Sequence, residues 1–220
     1  MTSLILQPRV VVFDFNGTLF DDLSVAYGSV QEIFKTFGLS CPSLEEYREG
    51  NTANYMKFYY DHGFSITTTV DELNVIRNRF YKTNDGVAKI RPDASKMIDH
   101  LAFLRIPVAI VSSESSINLY RQLIQHRNLQ RSFDFIRGEA WGEKGKEKAF
   151  MHIAEVFGED SGNMIYVDDT VDGLTSAKNV GVVPVAFTNP TGYNSEFRLM
   201  QVTEFSIKEM WDLKDLIRVK

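Results

Sequence analysis

The sequence predicts an α/β fold: a parallel sheet with helices on both faces and a helical segment set into it. Three observations carry that expectation. Short apolar runs rich in β-branched residues stand at 10–13, 107–111, 164–167 and 182–187, as in strands buried on both faces. Segments with helical spacing lie between them, and strand–helix alternation is the mark of a parallel sheet. The runs end on polar residues, Asp14, Ser112 and the pair Asp168–Asp169. In such sheets these gather at the carboxyl edge, where ligands bind.

Taken in order, Val10–Phe13 is the first strand. Residues 22–38 switch to a helical period, with Val30, Ile33, Phe34 and Phe37 on one face and Gly38 as the stop. Helices are expected at about 43–49, 53–62 and 70–84. No strand is expected between 20 and 88, so this stretch reads as a small helical unit. Asp93, after Pro92, is placed to cap a helix bearing Met97, Ile98, Leu101 and Leu104. Pro107–Val111 is the second strand. A helix with Ile117, Tyr120 and Ile124 on its apolar face follows, then a short strand at Phe135–Ile136. Residues 146–157 form a helix with Phe150, Ile153, Ala154 and Phe157, closed by Gly158. Met164–Val167 is the third strong strand. A helix then reaches Gly181, and Val182–Phe187 is the next strand. Ser206 with Glu209 reads as a capping box on the last helix.

The 220 residues suit one large domain, or a domain with an insertion. With 44% hydrophobic and 24% charged residues, disorder, collagen-like repeat and coiled coil are excluded. The 24 Lys and Arg against 29 Asp and Glu leave a net charge of −5. That opposes the basic surface that nucleic-acid binding needs. The single cysteine, Cys41, permits no internal disulfide and fits a reducing, cytoplasmic setting. The apolar run near the start lacks a basic lead and is stopped by Asp14, so no signal peptide or membrane span is expected. Oligomeric state is not legible beyond a preference for the monomer. His62, His100, His126 and His152 show no paired metal spacing.

Four groups point together to phosphoryl transfer: Asp14-Phe15-Asn16-Gly17-Thr18-Leu19, Ser112, the lysines Lys144 and Lys146, and Asp168-Asp169. A carboxylate can attack phosphorus and form an aspartyl-phosphate. The incoming phosphate brings negative charge to a site that already holds acids, and a divalent cation, most simply Mg²⁺ on oxygen ligands, resolves that conflict. A hydroxyl and a lysine suit the charge on the transferring oxygens. Gly17 lets the backbone turn close to the phosphate. Singly, each has a plainer reading: a turn aspartate, a capping serine, a solvated lysine face, and acids that cap the next helix.

As a set, these motifs resemble the haloacid dehalogenase superfamily. Tyr166-Val167-Asp168-Asp169-Thr170-Val171-Asp172-Gly173, with Ala177 and Gly181, is similar to the acidic motif of its β-phosphoglucomutase and phosphoglycolate phosphatase-like members. The resemblance extends to Thr191-Gly192-Tyr193-Asn194-Ser195. It implies a Rossmann-like core at 1–20 and 91–220 with an inserted helical cap at 21–90, closing over a small phosphorylated metabolite. It implies Asp14 as nucleophile. Mg²⁺ would sit on Asp14, the Asn16 carbonyl and Asp169, with Asp168 in support. Phosphate would meet Gly17, Thr18, Ser112, Ser113 and Lys146. Lys144 is the rival of Lys146, which helix phase favours. A cap loop holding Gly50, Asn51 and Thr52 would face substrate, or else is only a helix end.

One residue departs from the family pattern. Asn16 stands where related phosphatases carry the Asp that protonates the leaving oxygen and activates water. An amide matches its shape but does not exchange a proton at neutral pH. The resemblance therefore implies a Mg²⁺-dependent phosphatase impaired by Asn16, with Asn16→Asp expected to raise alkyl phosphate hydrolysis. A phosphonate hydrolase is an alternative, needing an imine-forming lysine for which Lys35, Lys57 and Lys82 are available. A weak or inactive phospho-ligand-binding protein is another.

Overall fold

The computed structural model describes residues 6–50, 52, 54–126, 129–141 and 144–218. In chain order the strands are β1 Val10–Phe13, β2 Phe20–Asp21, β3 Lys89–Ile90, β4 Val108–Val111, β5 Phe135–Arg137, β6 Met164–Asp168, β7 Val183–Phe187 and β8 Ser206–Ile207. The helices are α1 Leu23–Thr36, α2 Leu44–Gly50, α3 Tyr55–Asp61, α4 Val70–Thr83, α5 Pro92–Phe103, α6 Ser116–Gln125, α7 Gly145–Phe157, α8 Val171–Asn179, α9 Glu196–Leu199 and α10 Leu213–Leu216.

Six strands make one parallel sheet in the order β5-β4-β1-β6-β7-β8. The chain moves outward from β1 in one direction through β4 and in the other through β6, so the strand order reverses at β1. The carboxyl end of β1 is thus the crevice where an open parallel sheet binds its ligand. Val10, Val11, Val12 and Phe13 have no exposed surface. Val11 and Phe13 pack with Met97, Ile98 and Leu101 of α5. Val10 and Val12 pack with Phe150 and Ile153 of α7 and with Tyr166. Burial on both faces is the physical reason that the run has no alternation.

Between β2 and β3 the helices α1–α4 surround their own apolar cluster of Val30, Ile33, Phe34, Phe58, Tyr59, Phe64 and Leu73. The antiparallel ribbon β2–β3 joins this unit to the sheet, Phe20 opposite Ile90 and Asp21 opposite Lys89. Two-residue strands leave no periodicity, which is why none was legible at either end of the helical stretch.

Three local expectations need correction. Asp93 does not cap α5, whose N-cap is Arg91 with Pro92 opening the first turn. Its carboxylate instead accepts the backbone N–H of Met210 at 2.6 Å. Ser206 lies in β8, and the capping box is formed by Glu209 and Asp212 on the 3-10 turn Met210–Asp212. The third concerns α6. Leu119 and Leu123 are its buried residues, while Ile117, Tyr120 and Ile124 are 83%, 43% and 51% exposed. Both sets obey helical spacing, and only packing against the sheet selects between them.

That choice of face is measurable by urea unfolding. Leu119→Ala is expected to cost about 2–5 kcal/mol, and Ile117→Ala about 0.5 kcal/mol or less. Equal losses would contradict the orientation of α6.

Candidate active site

Asp14 follows β1 directly, and its backbone N–H donates to the Val167 carbonyl of β6 at 2.9 Å. Its carboxylate is 5% exposed as a residue. Oδ1 accepts from Lys146 Nζ at 2.8 Å and from the Tyr166 hydroxyl at 3.2 Å. Lys146 comes from the first turn of α7 and gives its three N–H bonds to Asp14, to Tyr166 at 2.7 Å and to Asp168 Oδ2 at 2.8 Å. An ammonium has three donors, so this set satisfies it fully. Asp168 Oδ1 is held by the Thr170 backbone N–H and hydroxyl, both at 2.7 Å. Gly173 is required beneath it: a Cβ there would lie 1.7 Å from Asp168 Oδ2.

Asp169 is also wholly buried. Oδ1 accepts the Thr18 hydroxyl at 2.8 Å, and Oδ2 accepts the Tyr193 backbone N–H at 2.6 Å. Gly17 passes so close that a Cβ would stand 2.2 Å from Asp169 Oδ2, and its φ of +75° favours glycine. Asp14, Asp168 and Asp169 bring one carboxylate oxygen each within 4.8 Å of the others. Three carboxylates against one ammonium leave surplus negative charge in a buried place, and the donors are all hard oxygens. That set fits a divalent cation. Asp14 and Asp169 would hold it directly. Asp168 has both oxygens engaged and supports from behind by anchoring Lys146.

These surroundings move the protons. Burial pushes the Asp14 carboxyl up to about 7, with Lys146 opposing and the charge of Asp168 adding to the rise. Burial and the neighbouring acids hold Asp169 well above the usual carboxylate range. For Lys146, burial acts to lower the value, but the charges of Asp14 and Asp168 outweigh it and hold the ammonium proton more tightly.

The remaining residues singled out by sequence fall as follows. Ser112 follows β4 directly, is 1% exposed, and its Oγ accepts the Glu114 N–H at 3.1 Å, which leaves the hydroxyl proton for another partner. Ser113 is exposed and donates to the Ala140 carbonyl at 3.4 Å. The Gly17 N–H is committed to the Phe20 carbonyl and to Asp22, and the Thr18 hydroxyl to Asp169. Both therefore shape the loop rather than offer those groups outward. Lys144 is exposed and stands at the N-cap of α7 with φ 59°, outside the carboxylate cluster. Gly50 is the last residue of α2 and packs on Phe58, where a Cβ would meet the ring at 2.6 Å. Thr52 is exposed, and Asn51 lies outside the described residues.

Sequence reasoning gave no site role to Tyr166, Asp22 and Arg91, and took Arg48 only as part of the cap stretch 48–52. Tyr166 is a polar tip in an apolar strand, two residues before Asp168 and hence on the same side of β6. Asp22 is 1% exposed, and burial pushes it up to about 6 against hydrogen bonds from Asn16, Tyr193 and Gly17. Arg91 reaches the carbonyls of Thr18 and Gly17, each at 2.9 Å, and the Thr191 hydroxyl at 2.8 Å. Arg48 of α2 donates to the Gly192 carbonyl at 2.8 Å and the Asn194 carbonyl at 3.1 Å. Asp22 was legible only as one of two adjacent acids. The two arginines bind backbone carbonyls, which no side-chain motif records.

Comparison with known proteins bears on family and fold. The family model of haloacid dehalogenase-like hydrolases matches residues 11–187. The chain is 24% identical over 179 residues to the bifunctional riboflavin kinase/FMN phosphatase of Arabidopsis thaliana, covering 80% of this chain and 47% of that protein, about half its length. It is 26% identical over 221 residues to a phosphoglycolate phosphatase of Neisseria meningitidis, covering 86% and 83%. A haloacid dehalogenase-like family hydrolase of Streptococcus pneumoniae superposes with a TM-score of 0.76 at 18% identity, over 98% of this chain and 99% of that one.

The raised acids set the pH behaviour of the metal-free chain. Asp14 titrates at about 7 and Asp22 at about 6 when folded, against about 4 when unfolded. Through that window the folded state keeps protons that the unfolded state has lost, so this contribution to stability falls as pH rises from about 4 to about 7. The Tm of metal-stripped protein is expected to drop over that range. Mg²⁺ is expected to raise it more at pH 7 than at pH 5, and Asp169→Asn to remove most of that rise. A Mg²⁺ effect unchanged in Asp169→Asn would refute this cation site.

Proposed function

The chain belongs to the haloacid dehalogenase-like hydrolase family, and from that premise we propose that it is a Mg²⁺-dependent phosphatase of a small phosphorylated metabolite. The observation that carries the reading is the buried group of Asp14, Asp168, Asp169 and Lys146 at the carboxyl edge of β1 and β6. The similarity to a phosphoglycolate phosphatase supports the size and charge of the substrate.

Asp14 is the nucleophile. Both of its hydrogen bonds from Lys146 and Tyr166 fall on Oδ1, so Oδ2 is the oxygen that attacks phosphorus and forms the aspartyl-phosphate. A bound Mg²⁺, held by Asp14, Asp169 and the Asn16 carbonyl, supplies charge neutralisation for phosphate beside carboxylate. Lys146 shifts its bond from Asp14 to a phosphate oxygen as that carboxylate is consumed. Ser112, with Ser113 beside it, donates to the phosphate, while Gly17 and Thr18 fix the loop. The described residues of 1–20 and 91–220 form the core and those of 21–90 the cap, with the end of α2 at Gly50 and the exposed Thr52 on the substrate side. The grip of Arg48 on the 192–194 carbonyls supports a closed cap. Asn16 supplies no proton, so hydrolysis of ordinary alkyl esters is slow. The imine chemistry of a phosphonate hydrolase is not favoured, because Lys35, Lys57 and Lys82 are all exposed.

A screen of small phosphorylated metabolites with Mg²⁺ tests the proposal. Metal-dependent phosphate release is expected, with a phosphoenzyme visible by intact mass and absent in Asp14→Asn. Binding without any turnover would leave the phospho-ligand-binding reading in its place. Lys146→Ala is expected to weaken vanadate binding at least tenfold, since a charge-assisted hydrogen bond is worth about 1.5–3 kcal/mol. Lys144→Ala is expected to change it little. The reverse order would move the cationic role to Lys144.

A further inference from the structure

Asp22 is a buried acid for which the proposed mechanism has no use. It stands at the N-cap of α1, where an aspartate ordinarily accepts a backbone N–H of its own helix, yet it makes no such bond. Its carboxylate turns back to the loop after β1. Oδ1 accepts the Gly17 N–H at 2.9 Å, and Oδ2 accepts the Asn16 amide at 2.7 Å and the Tyr193 hydroxyl at 3.1 Å. The carboxylate also decides which way the Asn16 amide faces. An amide oxygen against it would set two acceptors in contact, so the nitrogen must face Asp22. Position 16 is left with an acceptor oxygen and no transferable proton.

We propose that Asp22 is a positioning residue that locks Asn16 in this acceptor-only state, and that the substrate is phosphate bonded to an acidic oxygen, that of an enol, a phenol or a carboxyl group. The inference rests on the phosphatase reading and narrows it. As Asp14 Oδ2 bonds to phosphorus, the bond from phosphorus to the leaving oxygen breaks. The electron pair departs with that oxygen, which leaves as an enolate, phenolate or carboxylate and needs no proton from the protein. Water then attacks the phosphorus of the aspartyl-phosphate and the bond to Asp14 breaks. The Asn16 oxygen orients that water by accepting its hydrogen bond, and the released proton passes to the phosphate product. Phosphoglycolate, whose leaving group is an alkoxide, falls outside this class.

The pair also predicts how the missing proton is restored. In Asn16→Asp alone a half-buried carboxylate would meet the buried Asp22 where Nδ2 now touches Oδ2, and the like charges would disfavour ionising both. In the exchange Asn16→Asp with Asp22→Asn, the new amide keeps its oxygen on the Gly17 N–H. Its nitrogen donates to the new carboxylate and to the Tyr193 oxygen, so every bond of the present arrangement has a counterpart.

The test is single-turnover release of the leaving group from acetyl, p-nitrophenyl and simple alkyl phosphates with Mg²⁺, so that slow dephosphorylation does not mask the first step. The present chain is expected to form phosphoenzyme from the first two at least 10²-fold faster than from the third. The exchange variant, checked for retained Mg²⁺ stabilisation against heat, is expected to gain about 10²–10⁴-fold on the alkyl ester and to flatten the dependence on leaving-group acidity. Asn16→Asp alone is expected to gain less than the exchange. Equal rates on all three substrates, or an exchange variant that binds Mg²⁺ yet keeps the steep dependence, would overturn the inference while the phosphatase reading stands. Failure to form phosphoenzyme from any substrate would overturn both.

Discussion

The site is organised by one electrostatic constraint: three carboxylates are buried together, and one ammonium is the cation brought among them. Burying charge is tolerable only where hydrogen bonds and counter-charge replace water. Lys146 meets that demand because its three donors reach three different acceptors, which ties α7 to the ends of β1 and β6. Much of the neighbouring sequence follows from it. Tyr166 interrupts an apolar strand because the ammonium needs a third, neutral acceptor. Thr170 saturates the far oxygen of Asp168, and Gly173 leaves room for the near one. The charge left over is what makes the cluster a place for a divalent cation rather than a finished ion pair.

A second constraint is closeness. The loop after β1 passes so near Asp169 and Tyr193 that only a glycine fits at position 17. A backbone held that tightly exposes carbonyls that water no longer reaches, and they must find donors. Arg91 supplies them for Gly17 and Thr18, stacks on Phe187 at 5.0 Å, and pairs with Asp21 at 3.4 Å. It stands between β3 and α5, where the inserted helices rejoin the sheet, so the same guanidinium braces the loop after β1 and the chain's return. Arg48 and Arg198 do the equivalent at the far side, binding backbone carbonyls between α2 and the segment after β7.

What could be read from the residues alone divides along physical lines. Buried strands and long amphipathic helices announce themselves because burial repeats at a fixed period, and so β1, β4, β6, α1 and α4 were legible to within a residue or two. The carboxylates stood out because they end buried strands, and Lys146 was set above Lys144 by helix phase alone. Strand order was not, since it depends on how far each crossover carries the chain. The face of α6 was not, because two apolar stripes satisfied one period. Tyr166, Arg91 and Arg48 act on a hydroxyl, carbonyls or a charge distant in sequence, and no local pattern marks such pairings. Asn16 was visible as a departure, but the partner that gives the departure meaning, Asp22, was hidden at a helix start where an aspartate looks ordinary.

That pairing explains how the loop survives the loss of its expected acid. The Gly17 N–H is shared between the Phe20 carbonyl and Asp22, which accepts it through Oδ1. The other oxygen of the same carboxylate then demands donors, and an amide at position 16 and the Tyr193 hydroxyl meet the demand. An acid at position 16 beside the buried acid at 22 would place like charges in contact, whereas an amide there completes the network. The backbone carbonyl of residue 16 is unchanged by the choice of side chain, and Asp14 and Asp169 take no part in it. The geometry proposed to bind metal and phosphate is therefore separable from the proton at position 16, and the second can be absent while the first stands.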